Sequence, residues 1–279
     1  MSIADRRTRF WELHAEDGIF VMPNPWDAGS ARLLAWCGFK ALATTSAGLA
    51  WSLGRNDQQV TRDELVAHVA WLANATDLPL SVDSERCFAD DLDGVAETVR
   101  LLAGAGAAGC SIEDYDPATG RIDDIGYAAE RVAAAAEAAH DGDPMVLTAR
   151  AENHLYDGAG LDDTIARLVA YREAGADVLY APGLTDRAEI AAVVAAVGAP
   201  VNVLALPDTP TVAELGVLGV RRVSTGSLLA SAAYAAMLAG ARELMADGSS
   251  GYARAGLPRD VPVHGETSGG VFPRETGRV

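Results

Sequence analysis

The chain has 279 residues, is 49% hydrophobic, and sets 22 Lys and Arg against 39 Asp and Glu, a formal charge of −17. That length suits one large α/β domain or two small ones. The acidity argues against nucleic acid or an anionic membrane surface as partner, but not against a small anionic substrate, which local charge decides.

Taken in chain order, the sequence repeats one unit: a short apolar strand, a loop, then an Ala/Leu-rich amphipathic helix. Strands are expected at 19–22, 41–45, 80–83, 109–112, 145–149, 178–180, 201–205 and 222–224. Helical patterns lie between them, as in "TRDELVAHVAWLANA" (61–75) and "LDDTIARLVAYREAG" (161–175). The latter has Asp near its start and Gly175 at its end, as helix polarity prefers. In "GAGAAGC", "EAGADVLY", "AVGAPVNVL" and "VLGVRRVS" a helix stops on Gly and a strand begins two to four residues later. Eight such alternations read as a (β/α)8 barrel of the TIM type spanning residues 1–246 as a single domain. An open doubly wound sheet is the alternative, but the first strand runs into "PNPWDAGSARLLAWCG" rather than a glycine fingerprint. The last helix, 227–246, is apolar around much of its circumference, which fits either a well-covered barrel helix or burial against another subunit. From 247 to 279 a tail rich in Gly, Pro, Ser and Arg is expected to be irregular.

No apolar run reaches the roughly 18 residues of a membrane span. The N-terminus "MSIADRRTRFWELH" lacks the apolar segment of a secretion signal, so the expected address is the cytoplasm. Cys37, Cys87 and Cys110 are odd in number, scattered and without metal-type spacing, as in a reduced compartment.

Barrel chemistry sits at the carboxyl ends of the strands. Those ends offer Asn24, "TTSAG" (44–48), Asp83 with Glu85, "SIED" with Glu113 and Asp114, "TARAENH" with Arg150, Glu152, Asn153 and His154, then Tyr180, Asn202 and "STGS" (224–227). Asp83 and Glu85 are two apart, and period two would put both carboxylates on one strand face. Like charges there are costly without a cation between them. Asp83, Glu85 and Glu113 are hard oxygen donors on neighbouring strands and suit Mg2+ or Mn2+. Taken singly, such acids are more often helix caps or partners of Arg. Arg150 is a ready grip for a substrate carboxylate or phosphonate, or else a structural partner of Glu113 or Glu152. Ser46, Ala47 and Gly48 could present backbone N–H groups to an anionic oxygen. Among the histidines only His154 lies near the mouth; His14, His68, His140 and His264 do not. Cys87 lacks an obvious activating base. "STGS" reads as helix capping before it reads as a phosphate site.

"SVDSE", "SIED", "LTARAEN" and "GRND" (54–57), with "NPWDAGSARLL" and "TTSAGLAWSLG", resemble the isocitrate lyase / phosphoenolpyruvate mutase superfamily over roughly residues 10–246. The resemblance implies a (β/α)8 barrel that assembles as a homodimer or homotetramer by swapping its eighth helix. It implies that Asp83 binds Mg2+ directly, that Glu85, Glu113 and Asp57 hold the ion largely through water, and that Arg150 grips the anionic substrate. Ala47 and Gly48 fall where backbone N–H groups are supplied, and Ala47 stands where a serine is usual. Isocitrate-type lyases carry a Lys-x-Cys-Gly-His loop after the fourth strand, and the mutase a loop with Lys and Asn. Here the loop is "DYDPATGRIDDIGY" (114–127), with no Cys, Lys or Asn.

The expected activity is that of a Mg2+-dependent carbon–carbon lyase, retro-aldol or decarboxylating, on a small 2-oxo or 2-hydroxy dicarboxylate cleaved through an enolate. Arg150, Glu113 and Asp57 would serve the chemistry; Ser46, Ala47, Gly48, Asp83, Arg150 and Asn202 would meet the substrate. Phosphorus–carbon chemistry, of the mutase or phosphonopyruvate hydrolase type with Arg121 in place of the missing Lys, is the alternative. A non-catalytic barrel that binds a 2-oxo acid is a third reading.

Overall fold

The computed structural model describes residues 1–156, 158, 160–258 and 261. Most of the expected tail, including His264, lies outside the described residues. Helix α1 (Ile3–Ala15) precedes β1 (Phe20–Met22), α2 (Ala28–Trp36), β2 (Leu42–Ala43), α3 (Ser46–Ser52), α4 (Arg62–Ala73), β3 (Leu80–Asp83), α5 (Leu92–Gly104) and β4 (Gly109–Glu113). A small hairpin, β5 (Tyr115–Asp116) and β6 (Arg121–Ile122), leads into α6 (Ile125–His140). There follow β7 (Val146–Arg150), α7 (Asn153–Tyr156), α8 (Leu161–Glu173), β8 (Val178–Tyr180), α9 (Arg187–Val197), β9 (Val201–Leu204), α10 (Val212–Val217), β10 (Arg222–Ser224) and α11 (Leu228–Asp247).

The eight expected strands form one parallel sheet in the order β1-β10-β9-β8-β7-β4-β3-β2. The sheet curls until its edges meet. Ala43 N–H donates to Pro23 O at 3.0 Å, and Asn24 Nδ2 donates to Thr44 O at 2.6 Å. Asn24 Oδ1 also accepts from the N–H groups of Thr225 and Gly226, so one side chain ties β1 to both flanking strands. The result is a nearly closed (β/α)8 barrel. Local signals agree with it: Thr61 and Glu64 form a capping box on α4, and the helix-stopping Gly106, Gly175, Gly198 and Gly219 all adopt the left-handed φ that glycine permits.

The inside of the barrel is layered. At its amino end α1 acts as a plug, with Phe10 and Leu13 packed against Phe20, Met22, Ala41, Val146 and Val178. Arg7 fastens the plug by donating to the carbonyls of Ala107, Asp143 and Ala103. Gly109 is required there: a Cβ would lie 2.7 Å from Phe10 Cε1 and 2.7 Å from the Val146 carbonyl. Above the plug the inward positions are small or polar, namely Ser81, Ser111, Thr148, Asn202 and Arg222. Most other core residues lie between sheet and helices.

Helix α11 does not lie as a covered barrel helix. Only Ala230 and Gly240 of its 20 residues are buried, while Met237, Leu238, Leu244 and Met245 are exposed. Among the described residues no helix is long and apolar enough to cross a membrane.

Two stability effects are expected. Gly109→Ala should cost about 1–3 kcal/mol by overpacking against Phe10, read as a lower denaturation midpoint. His68 is buried on α4 with its Nε2 unpartnered, and burial pushes it down to about 4. The unfolded chain therefore binds the extra proton more readily, and this contribution falls as pH drops from about 6.5 toward 4. Near pH 5.5 the loss is about 1 kcal/mol, and His68→Gln should flatten the acid limb of the Tm–pH curve accordingly.

Candidate active site

The carboxyl end of β3 sets the site. Asp83 is the last strand residue, and its Oδ2 accepts from Ser46 N–H at 3.1 Å at the start of α3. Its own N–H donates to Thr44 Oγ1 at 2.8 Å. Past Asp83 the strand stops. Glu85, Cys87 and Phe88 take left-handed φ values of 48°, 59° and 56°, a conformation that costs side-chain-bearing residues energy and clusters at functional sites. The period-two expectation for Asp83 and Glu85 therefore fails, because the backbone turns between them. Their carboxylates still feel each other. Burial first, then the charges of Asp83 and Asp57, push Glu85 up to about 8.

Arg150, at the end of β7, is the hub. Its Nη1 donates to Asp83 Oδ1 at 2.7 Å and its Nε to Glu152 Oε1 at 2.7 Å. Its Nη2 lies 3.2 Å from Glu113 Oε2. Every nitrogen of the fork faces an acid, and the guanidinium also stacks over Tyr180 at 5.4 Å. Glu113 takes a further bond from Gln58 Nε2 at 2.9 Å. Asp114 turns the other way, accepting from Tyr171 and Arg167 and from Glu152 N–H at 2.8 Å. It anchors the residue that holds Arg150, a linkage the sequence reading did not contain.

Asp83, Glu113 and Glu152 contact Arg150, and Asp57 and Glu85 feel its charge without touching it. Burial raises Glu113 well above the carboxylate range, with Glu152 and Asp83 adding to it and Arg150 opposing it. Desolvation and then Asp83 raise Asp57. A cluster pushed toward protonation is short of positive charge. Among the described residues no three Asp, Glu, His or Cys side chains converge tightly enough to encage an ion. The donors fit a hard cation that takes one carboxylate directly and keeps its own waters toward the rest.

A cavity of about 170 Å3 opens beside Asp83 and descends into the barrel, lined by Asp57, Ser46, Ala47, Arg150, Tyr180 and Asn202 among others. Of the expected site residues, Ser46, Ala47, Asp57, Asp83, Arg150 and Asn202 line this cavity, Glu113 and Glu85 lie behind it around Arg150 and Asp83, and Gly48 stands back. The Gly48 N–H donates to Thr45 Oγ1, and the close approach its lack of a side chain permits is by Thr45 and Trp26, 2.5 and 3.0 Å from where a Cβ would lie. Cys87 is fully buried, and burial pushes its thiol up to about 12. His154 sits on α7 against Gly183. The 114–127 segment forms the β5–β6 hairpin, pinned by Asp123 to Arg86 at 3.1 Å and by Tyr115 stacked on Tyr156 at 4.0 Å. Arg121 lies exposed on that hairpin, outside the cavity lining.

Fold and site together define a (β/α)8 barrel with an acid-rich mouth over an interior cavity that holds hydroxyls, an amide and a buried arginine. The model of the family described as phosphoenolpyruvate phosphomutase matches residues 10–245, and the chain belongs to that family, within the isocitrate lyase/phosphoenolpyruvate mutase superfamily. A crystal structure of a Burkholderia cenocepacia J2315 protein, whose name leaves lyase and mutase both open, is 52% identical over 92% of this chain and 94% of that chain, with a TM-score of 0.89. The uncharacterized protein Rv1998c of Mycobacterium tuberculosis is 36% identical over 91% of this chain and 92% of its own length. The oxaloacetate decarboxylase of Paraburkholderia xenovorans is 31% identical over 80% and 75%. Other relatives carry carbon–carbon lyase and phosphorylmutase names.

Arg150→Met would strand its three carboxylates. The expected cost is about 3–5 kcal/mol, measured by chemical denaturation. Burial raises Glu113 and Glu152 while Arg150 opposes it; without Arg150 the folded chain holds their protons more tightly than the unfolded one, so the deficit should grow from acid toward alkaline pH.

Proposed function

We propose that the protein is a Mg2+-dependent carbon–carbon lyase acting on a small 2-oxo or 2-hydroxy dicarboxylate, by decarboxylation or retro-aldol cleavage. The observation that carries this reading is the surplus of carboxyl groups around Asp83 at the rim of a cavity of about 170 Å3. Asp83 would hold the ion, with Glu85, Glu113 and Asp57 holding its waters. Bound there, Mg2+ supplies Lewis-acid stabilisation of the negative charge that develops on the oxygen of a 2-oxo acid. Arg150 and the Ser46 N–H keep Asp83 in place. Ala47, Tyr180 and Asn202 shape the wall against which the acid lies. In decarboxylation the C3–carboxylate bond breaks, its electron pair passes into an enolate as CO2 leaves, and water returns a proton to C3. Among the described residues no thiol lines the cavity, which suits a reaction without a cysteine acid. The likeness to a relative named oxaloacetate decarboxylase supports the same choice.

Phosphorus–carbon chemistry is favoured by the family description and by the Arabidopsis phosphorylmutase relative. Against it stands the exposed Arg121, placed away from the cavity. The purified protein with Mg2+ should release pyruvate from oxaloacetate, methylisocitrate or dimethylmalate, followed by a coupled assay. Turnover of phosphonopyruvate alone would establish the second reading. No turnover at all, with thermal stabilisation by oxalate plus Mg2+, would establish a binding barrel. Asp83→Ala should cut turnover more than about 100-fold and remove the rise in Tm caused by Mg2+, with the fold retained.

We propose further that α11 seats on a second copy of the chain in a homodimer or homotetramer. Its exposed Met237 and Leu238 support this. Light scattering should give a multiple of 29.0 kDa, and Met237→Glu with Leu238→Glu should shift the species toward monomer.

A further inference from the structure

We propose that Arg222, at the foot of the cavity, binds a second carboxylate of the substrate and so selects dianionic over monoanionic acids; this rests on the reading of the site above. Arg222 comes from the start of β10, is 3% exposed, and lines the cavity from below. Its Nε donates to Asn202 Oδ1 at 2.9 Å and its Nη2 to Thr148 Oγ1 at 2.9 Å. Its Nη1 lies 3.3 Å from His14 Nε2. The His14 Nδ1 is 2.7 Å from the Phe10 carbonyl. A carbonyl only accepts, so Nδ1 carries the proton and Nε2 is the acceptor facing Arg222. Burial, with Arg222 adding to it, holds His14 down to about 3, so the imidazole is neutral.

Every partner of Arg222 is therefore uncharged, and among the described residues no carboxylate pairs with it. The arginines at the mouth of the barrel differ. Arg150 faces three acids, and Arg167 faces Asp114 and Asp163. Arg7 is also buried without an ion pair, but it gives its fork to three backbone carbonyls and does not line this cavity. A buried guanidinium beside an open space is costly unless an anion joins it. Three of its five N–H groups are committed, leaving one on each terminal nitrogen, the pair that grips a carboxylate. The surrounding side chains of Ser81, Ser111, Ser224 and Thr148 are short enough to leave room and offer hydroxyls to the same anion. Arg150, the arginine that family resemblance points to for this grip, has each nitrogen already facing an acid.

Lactate and malate share a 2-hydroxy acid head and differ by one carboxylate. In the presence of Mg2+, calorimetry on the wild-type full chain should show malate binding about 10- to 100-fold more tightly than lactate. Arg222→Gln should bring the two within about threefold, chiefly by weakening malate, and Arg222→Lys should restore part of the preference. A purely structural Arg222 would lower Tm in both variants and leave the malate-to-lactate ratio unchanged, which would overturn the proposal; so would a wild type without preference. Should Arg222→Gln not fold, a crystal of the wild type soaked with malate decides: density for a carboxylate against the Arg222 guanidinium supports the proposal, and malate seated elsewhere overturns it. These readouts are of binding, so absence of turnover with every acid would sink the lyase reading while leaving this one to stand or fall separately.

Discussion

The structure turns on one guanidinium. Arg150 lies at the mouth of the barrel, where β3, β4 and β7 each end in an acid or a loop that supplies one, and it satisfies three of them at once. Bringing three carboxylates within about 3 Å of one cation gains Coulomb energy that rises as water is removed, but one positive charge cannot neutralise the cluster. Burial first, and the neighbouring carboxylates after it, leave Glu85, Asp57 and Glu113 with raised pKa values. A site built this way favours protons or a further cation, the demand that the proposed divalent ion would meet.

The strain after β3 follows from the same constraint. To bring Glu85 under Glu113, the chain leaves the strand through left-handed residues, and Glu113 N–H donates to the Glu85 carbonyl at 3.1 Å. Asp114 is equally tied: it accepts from Glu152 N–H, so the loop after β4 positions the acid after β7. The mouth is a single hydrogen-bonded unit contributed by four loops, and this explains why acids that would cap helices elsewhere are held here facing one another.

Much of this was legible. Strand ends in a repeating β/α pattern locate a mouth, so Asp83, Glu113 and Arg150 could be picked out as charged residues at strand ends. Pairing Asp83 with Glu85 by period two could not work, since periodicity holds only while the strand continues, and "SER" at 84–86 gives no warning of a left-handed turn. The plug was missed because "RRTRFWELH" reads as a charged N-terminal helix; that Phe10 enters the barrel is visible only once Gly109 is seen to make room for it. Arg222 was missed for a related reason. It sits second in "RRVS", at the beginning rather than the end of a strand, and which of two adjacent arginines points inward depends on barrel register. Asn202 opposite Arg222 settles it: Arg222 faces the interior, while Arg221 reaches the carbonyls of Glu16 and Gly18 on the outside.

The two arginines divide the cavity between them. The upper end is over-supplied with negative charge and attracts cations; the lower end holds a positive charge with neutral neighbours and attracts anions. The proposed 2-oxo dicarboxylate would meet both demands, with one end toward the carboxyl groups of the mouth and the other reaching the foot. A chain of net charge −17 repels such a substrate at long range. Solvent ions screen that repulsion over about 8 Å at physiological salt, whereas Arg222, enclosed by Asn202, Thr148 and His14, is screened far less. The local field therefore outweighs the global charge only for a ligand already inside the barrel. This favours small acids that fit a cavity of about 170 Å3, and disfavours larger polyanions that would be held at the rim.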